Sequence, residues 1–81
     1  MYSVEFLSRE ELLIEEDGIE VTVSRVRVTM TSKEGYMASL RTYGSGQTSD
    51  VFDTKDEAEE EGRKMFNKKK KENEEFLKSL K

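Results

Sequence analysis

Residues 51–66, VFDTKDEAEEEGRKMF, decide the fold, because the apolar end of a strand turns there into a helix. Thr54 and Glu57 have the spacing of a capping box, in which each side chain binds a backbone N–H of the first helical turn. The acidic residues that follow stabilise the positive end of the helix dipole. The stretch therefore predicts a helix that begins beside Thr54.

An apolar stripe continues from this start to the end of the chain. It consists of Ala58, Gly62, Met65, Phe66, Phe76, Leu77 and Leu80. Such spacing is typical of a helix that packs one face on a core. Glycine inside a helix costs about 1 kcal/mol relative to alanine, so we expect Gly62 to mark a close approach to the sheet.

The residues before this helix alternate between apolar and polar in short runs, which predicts antiparallel strands. Tyr2, Val4 and Phe6 form the first such run. A dipeptide of the Asp-Gly type is a strong signal for a two-residue hairpin turn, and residues 17–18 provide one. We expect this first turn to join two apolar-faced strands.

The hairpin at residues 17–18 predicts a definite register. Closing the turn places Ile14 opposite Val21 and Leu12 opposite Val23, so that the apolar residues of both strands share one face. A loop at residues 33–35 likewise places Met30 opposite Ala38. A turn at residues 44–46 then returns the chain into the helix, in a register that stays open.

The third strand changes its hydrophobic phase. Its apolar residues occupy odd positions from Ile19 to Val23 and even positions from Val26 to Met30. A β-bulge at residues 24–25 would restore a single apolar face and bend the strand. The sequence therefore predicts one irregularity in the middle of the sheet.

Together these patterns predict a single α+β domain, residues 1–81. A curved antiparallel meander of four to five strands covers residues 2–52, and one long C-terminal α-helix covers residues 54–80. The helix packs on one face of the sheet. It would be about 40 Å long while strands of six or seven residues span about 20 to 23 Å, so its second half overhangs the sheet.

The composition limits the classes of function. There is no cysteine or histidine among the 81 residues, which removes disulfides, thiol nucleophiles and the commonest transition-metal ligands. No apolar run approaches the roughly 20 residues of a membrane span, and the N-terminus lacks a signal-peptide pattern. We expect no catalytic residue, metal, cofactor, small-molecule substrate or membrane contact, and a cytoplasmic location.

Three arginines and a tyrosine gather on the predicted outer face of the sheet. The predicted register places Arg27 opposite Arg41, and Arg25 opposite Tyr43. One interpretation is a solvated surface on which the arginines pair with nearby glutamates. The other is a platform that contacts phosphates or carboxylates through the arginines, with Tyr43 stacking or donating a hydrogen bond.

Residues 35–66 resemble the arm-type, AP2-like DNA-binding domains of phage integrases. In that family a three-stranded sheet runs into a helix through an F-x-T-K-x-E-A pattern, matched here by Phe52, Thr54, Lys55, Glu57 and Ala58. The resemblance implies that the outer sheet face enters a DNA groove. It would assign DNA contact to Arg25, Arg27, Arg41 and Tyr43, although the chain carries a net charge of −4 where that family is usually basic.

Phe76, Leu77 and Leu80 fall in the part of the helix that is predicted to overhang. Exposed apolar side chains in such a place are typical of a docking patch for a protein partner or a second copy. The alternative is a diagonal helix whose end covers Leu7 and Leu13.

Two functional hypotheses follow. The first is a small non-enzymatic protein-binding or regulatory module, such as a phage-type accessory factor, that acts through its acidic surface and distal helix with a protein partner or as a homodimer. The second is a nucleic-acid-binding module, for DNA or RNA, that uses the arginine-bearing sheet face.

Overall fold

The helix and the sheet form in the parts of the chain where the sequence predicts them, and they give an α+β fold. A computed structural model describes residues 3–80, so the predicted role of Tyr2 lies outside the described residues. The sheet is antiparallel, five-stranded and curled. The elements are β1 (Val4–Phe6), β2 (Glu11–Glu16), β3 (Ile19–Val28), β4 (Lys33–Thr42), β5 (Ser45–Thr48) and α1 (Lys55–Ser79).

Thr54 caps α1, as predicted. Its backbone is extended, and its hydroxyl accepts a hydrogen bond from the Glu57 backbone N–H at 3.2 Å. The same hydroxyl donates to the Glu57 carboxylate at 2.9 Å. The glutamate therefore holds the threonine side chain in its capping position.

The turn between β2 and β3 has the predicted form. Asp17 and Gly18 have φ angles of 53° and 77°, which is the left-handed conformation that both central residues of a type I′ turn require. Ile14 lies opposite Val21, as expected. The hairpin therefore begins in the predicted register.

Further along this hairpin the predicted register is wrong. Leu12 lies opposite Thr22 rather than Val23, because an extra residue interrupts the ladder between Leu12 and Ile14. Leu12 is consequently exposed, and Leu13 packs against the core in its place.

The bulge predicted in β3 at residues 24–25 is also wrong. The pairing of β3 with β4 runs without a shift from Glu20 opposite Arg41 to Val28 opposite Lys33. On the other side, β1 pairs with the second half of β3 and β2 with the first half. Leu7 still donates a backbone hydrogen bond of 2.8 Å to the Arg25 carbonyl, and residues 8–10 then leave the ladder, so the irregularity lies in the neighbouring edge.

The hydrophobic phase of β3 changes because the first half of the strand buries its side chains on the helix side of the sheet and the second half buries Val26 on the other side. Val21 and Val23 belong to the core on the helix side, whereas Val26 points to the other face. Val26 is fully buried and lies opposite Gly35. A Cβ at residue 35 would collide with the Phe52 carbonyl oxygen and lie 2.6 Å from Val51 Cγ1, so Gly35 makes room for residues 51–52 rather than forming a turn.

The predicted turn at residues 33–35 and the predicted pairing of Met30 with Ala38 are both wrong. The turn between β3 and β4 is at residues 29–32, and it leaves Met30 84% exposed instead of opposite Ala38. Ala38 lies opposite Val23. The phase of the apolar residues fits both registers, and Gly35 favours the later turn in the sequence although it lies within β4 in the structure.

The last hairpin turns at Tyr43-Gly44, earlier than predicted. Thr42 lies opposite Ser45, and β5 ends at Thr48. The chain then rejoins the edge of β4, where Phe52 and Tyr36 exchange two backbone hydrogen bonds of 2.8 Å. The sequence left open whether Val51 or Phe52 points to the core under the helix. Phe52 does, because it packs against that core.

Helix α1 packs closely on β3 and β4. Its buried residues are Ala58, Gly62, Met65 and Phe66. A Cβ at residue 62 would lie 3.0 Å from Val21 Cγ1 and 3.2 Å from Leu13 Cδ2. The predicted close approach at Gly62 is confirmed.

The predicted overhang of α1 is confirmed, but its cause differs from the expected one. The strands β3 and β4 have ten residues each and span about 33 Å. Helix α1 starts near the middle of the sheet, where Lys55 contacts Glu11. It runs toward the end of the sheet that carries the hairpin turns at residues 17–18 and 43–44. The molecule is therefore elongated, measuring 50 × 23 × 17 Å.

Candidate docking surface

The distal end of α1 exposes three large apolar side chains. Phe76, Leu77 and Leu80, here called the apolar tip, are 63%, 61% and 66% exposed. The alternative in which the helix end covers Leu7 and Leu13 is wrong, because Leu13 lies beside Gly62 in the first half of the helix. The apolar tip therefore lacks cover within the described part of the chain.

The apolar tip continues the buried stripe of α1 in phase. Leu77 follows Phe66 by about three full turns, so both side chains lie on one line of the helix. Phe66 is only 5% exposed, because the sheet lies beneath it. The apolar tip consequently points to the side where the sheet lies, but beyond the end of the sheet.

Two ion pairs link α1 to β2 along the direction in which the helix projects. Lys55 Nζ lies 2.6 Å from the Glu11 carboxylate, and Lys70 Nζ lies 3.2 Å from that of Glu16. The Lys70 ammonium also lies 5.9 Å from the centre of the Phe66 ring. Each exposed pair contributes little to stability, but both tie α1 to the same strand at points four turns apart.

These contacts also affect proton affinity. The hydrogen bond that Lys70 donates to the Glu16 carboxylate, together with the negative charge of Glu16, raises the pKa of Lys70 above its ordinary value. The hydrogen bond that Lys55 donates to the Glu11 carboxylate raises the pKa of Lys55 in the same way. Both ion pairs therefore stabilise the charged form of their lysine.

A recess lies where the helix leaves the sheet. It has a volume of about 240 Å³, and it is bounded by the turns at residues 17–18 and 42–45 and by Lys69 and Asn73 of α1. We call it the corner recess. The Tyr43 side chain stands at its edge and is fully exposed. The exposed aromatic ring and the apolar tip thus lie at the same end of the molecule.

The structure does not bring the four residues of the predicted anion platform together. Arg27 lies opposite Glu34, and Arg25 lies opposite Tyr36. Arg41 lies opposite Glu20, which places it on the other face of the sheet, because successive residues of a strand alternate between faces. Tyr43 belongs to a turn rather than to either face. The predicted register of these residues is therefore wrong.

Carboxylates surround each of the three arginines. Arg25 donates a hydrogen bond of 2.5 Å to Glu34, and Arg27 lies 3.7 Å from both Glu34 and Glu5. These contacts lower the pKa of the Glu34 carboxyl, with the Arg25 hydrogen bond as the largest cause, and raise the pKa of Arg25.

Arg41 forms a pair of the same kind on the opposite face. Its guanidinium donates to both Glu10 carboxylate oxygens, at 2.8 and 2.9 Å. Both bonds come from Nη2, so one carboxylate chelates a single guanidinium nitrogen and supplies the negative charge that a phosphate would otherwise offer. The arrangement matches the solvated, glutamate-paired interpretation of the arginines.

Sequence reasoning missed the position of Tyr43 beside the distal helix. Pairing Val21 with Leu40 brings the two hairpin turns to one end of the sheet, but the predicted loop at residues 33–35 shifted that pairing. The available signal was residues 29–32, Thr-Met-Thr-Ser, a stretch with three small hydroxyl residues that also suits a turn.

Comparisons with known proteins add no assignment. No family model, curated protein or solved structure matches this chain significantly. The resemblance to integrase arm-type domains therefore remains a prediction. Among residues 3–80 no helix is long and apolar enough to cross a membrane, and no group of acidic residues there is placed to hold a metal ion.

Proposed function

We propose that this chain is a small, non-enzymatic protein-binding module whose docking element is the apolar tip of α1. The observation that carries the proposal is the contrast between Phe66 and Leu77, which share one line of the helix but are 5% and 61% exposed. Large apolar side chains grouped at a surface are typical of sites that another protein covers. Burial of each such side chain is worth roughly 1.5 to 3 kcal/mol.

The way in which the helix is held supports a docking role. The first half of α1 is packed on the sheet, and Lys70 ties the helix to β2 just before it overhangs. The helical hydrogen bonding continues to the end of the apolar tip, where the Leu80 N–H donates to the Leu77 carbonyl. A pre-ordered element loses less conformational entropy on binding than a disordered tail does.

The nucleic-acid alternative has weaker support. It relied on a single surface that combined Arg25, Arg27 and Arg41, and these residues lie on two faces with carboxylate neighbours. The net charge of −4 also opposes the general attraction to phosphates on which most such binding depends.

Site-specific photo-crosslinking tests the proposed function. A photoreactive amino acid replaces Leu77 in the full chain, expressed in cells of the source organism. The matched control carries it at Glu60, an exposed position about 100° around the helix axis from Leu77 and nearly five turns before it. We expect a discrete protein adduct from position 77 and none from position 60. Equal adducts from both positions, or none from either, would contradict a docking role for the apolar tip.

A further inference from the structure

We propose that the occupant of the apolar tip is a second copy of this chain, in a two-fold arrangement in which each tip enters the corner recess of the other copy and packs on its Tyr43. This inference rests on the proposed function and names the partner at the same site. It would make the chain a reciprocal homodimer.

The shape of one copy suggests the arrangement. The apolar tip projects past the sheet end and faces the same side as the sheet, so an open corner lies between the tip and the two hairpin turns. The corner recess of about 240 Å³ is in that corner. One copy therefore carries a projection and a recess side by side, and a two-fold axis brings each projection to the recess of the other copy.

The exposed apolar area is large enough for a stable interface when each copy buries both its apolar tip and its Tyr43 against the other copy. A tip that met a flat partner would bury three side chains, whereas a second copy covers the tip and Tyr43 on both sides. Four such side chains bury on the order of 500 Å² per copy, since each aromatic ring alone accounts for about 150–250 Å². With the surrounding contacts this approaches the roughly 800 Å² per partner of a stable interface.

The charges of the distal helix favour an antiparallel second copy. Residues 68–71 are four lysines, and the next four residues include three glutamates. In an antiparallel pair the lysine block of one helix lies beside the glutamate block of the other. A parallel pair would place like charges together, which opposes association. That alignment places Phe76 and Leu77 beside residues 66–67 of the other helix, less than one turn from Lys69 at the edge of its recess.

The polar residues Lys69 and Asn73 of the corner recess are compatible with burial under the apolar tip of a second copy. Lys69 keeps a carboxylate neighbour on its own helix, with its Nζ 3.9 Å from Glu72. Asn73 is partly buried and lies on the same stripe as Phe66 and Leu80. Asn73 shares this stripe with Lys69, and a polar residue within an apolar helix seam is known to fix the register of paired helices at some cost in stability.

Sedimentation equilibrium over a range of concentrations tests the inference with the full chain. The variants are Leu77→Ser/Leu80→Ser, which removes the tip, and Tyr43→Ser, which removes the aromatic edge of the recess. The matched control is Met30→Ser, because Met30 is 84% exposed at the opposite end of the sheet. Circular dichroism and thermal melting show whether each variant folds like the wild type.

We expect the wild type and Met30→Ser to reach twice the monomer mass of 9.4 kDa. Both other variants should dissociate with a dissociation constant raised about tenfold or more. A wild type that stays monomeric to millimolar concentration would overturn the second copy as occupant. So would a dimer that Tyr43→Ser leaves intact.

The two proposals fail in different ways. If the wild type is monomeric and the crosslink at position 77 joins the chain to a protein of another mass, the homodimer is overturned and the docking role stands. If position 77 gives no adduct and the wild type is also monomeric, both proposals fail. A position-77 adduct of twice the chain mass supports both.

Discussion

Phe66 and Leu77 lie on one line of α1, about three turns apart, yet the sheet covers the first and not the second. The difference arises from where the helix begins. Because Thr54 caps the helix beside the middle of β4, about half of the sheet length lies beneath α1 before the hairpin turns are reached. A helix of 25 residues then extends past that end and carries its apolar stripe with it.

Gly35 provides a test of the contact between β4 and the segment that leads into the helix. An alanine there would collide with the Phe52 carbonyl and with Val51 Cγ1. We expect Gly35→Ala to lower the free energy of unfolding by roughly 1–3 kcal/mol in urea denaturation, as overpacking does. Gly46→Ala is the control, because the nearest atom to its Cβ would be the Leu40 carbonyl oxygen at 3.8 Å. Equal stability of the two variants would disprove the close approach.

The Thr54 cap should have a measurable share in stability. Thr54→Ala removes the acceptor for the Glu57 backbone N–H, so we expect the free energy of unfolding to fall by about 1 kcal/mol. Thr54→Ser keeps a hydroxyl at the same place and should remain close to the wild type. Should thermal melting rank serine with alanine rather than with threonine, the hydroxyl is not the stabilising group.

The pKa of Glu34 reports on its pairing with Arg25. The ion pair holds this pKa below its ordinary value of 4.5, so Arg25→Gln should raise it toward that value in an NMR titration. A carboxyl whose folded pKa is lowered adds stability above its unfolded pKa, and the gain is lost as the pH falls through the folded pKa. We therefore expect a small loss of stability below about pH 4.5 that Arg25→Gln lacks. An unchanged pKa in the variant would show that Arg25 does not hold Glu34.

Nucleic-acid binding remains open to a direct test. We expect the wild type to show no binding to duplex DNA, duplex RNA or single strands at low salt, because Arg25, Arg27 and Arg41 each lie beside a carboxylate and the net charge is −4. Fluorescence anisotropy of labelled oligonucleotides measures this. Binding that weakens steeply with salt, and that Arg27→Glu/Arg41→Glu abolishes in a folded chain, would instead support the alternative function.

The helix and its packing face could be predicted from the sequence because their signals are local. The capping threonine and the apolar spacing of α1 lie within a few residues of the groups they affect. The Asp17-Gly18 turn is of the same kind, since its left-handed angles depend on the dipeptide itself. These features therefore agree between sequence and structure.

The register of β3 and β4 could not be predicted because it depends on distant residues. The phase change in β3 has two explanations, a bulge or a change of the covered face, and only the position of residues 51–52 over Gly35 distinguishes them. With the wrong choice, the predicted register paired Arg27 with Arg41, whereas Arg27 lies opposite Glu34 in the structure. The predicted arginine platform followed from that pairing and is absent from the fold. The overhang of α1 could be predicted from the helix length, but the sequence left open whether the apolar tip is exposed or covers Leu7 and Leu13, because that depends on where on the sheet the helix begins.

The stability of a chain that ends at Asn73 tests most directly whether the apolar tip lies outside the core. It is measured by urea denaturation at a concentration where the full chain is monomeric. We predict a free energy of unfolding within about 0.5 kcal/mol of the full chain, as for surface changes generally. A shortened chain that is unfolded, or several kcal/mol less stable, would show that Phe76, Leu77 and Leu80 support the fold and are not a docking element.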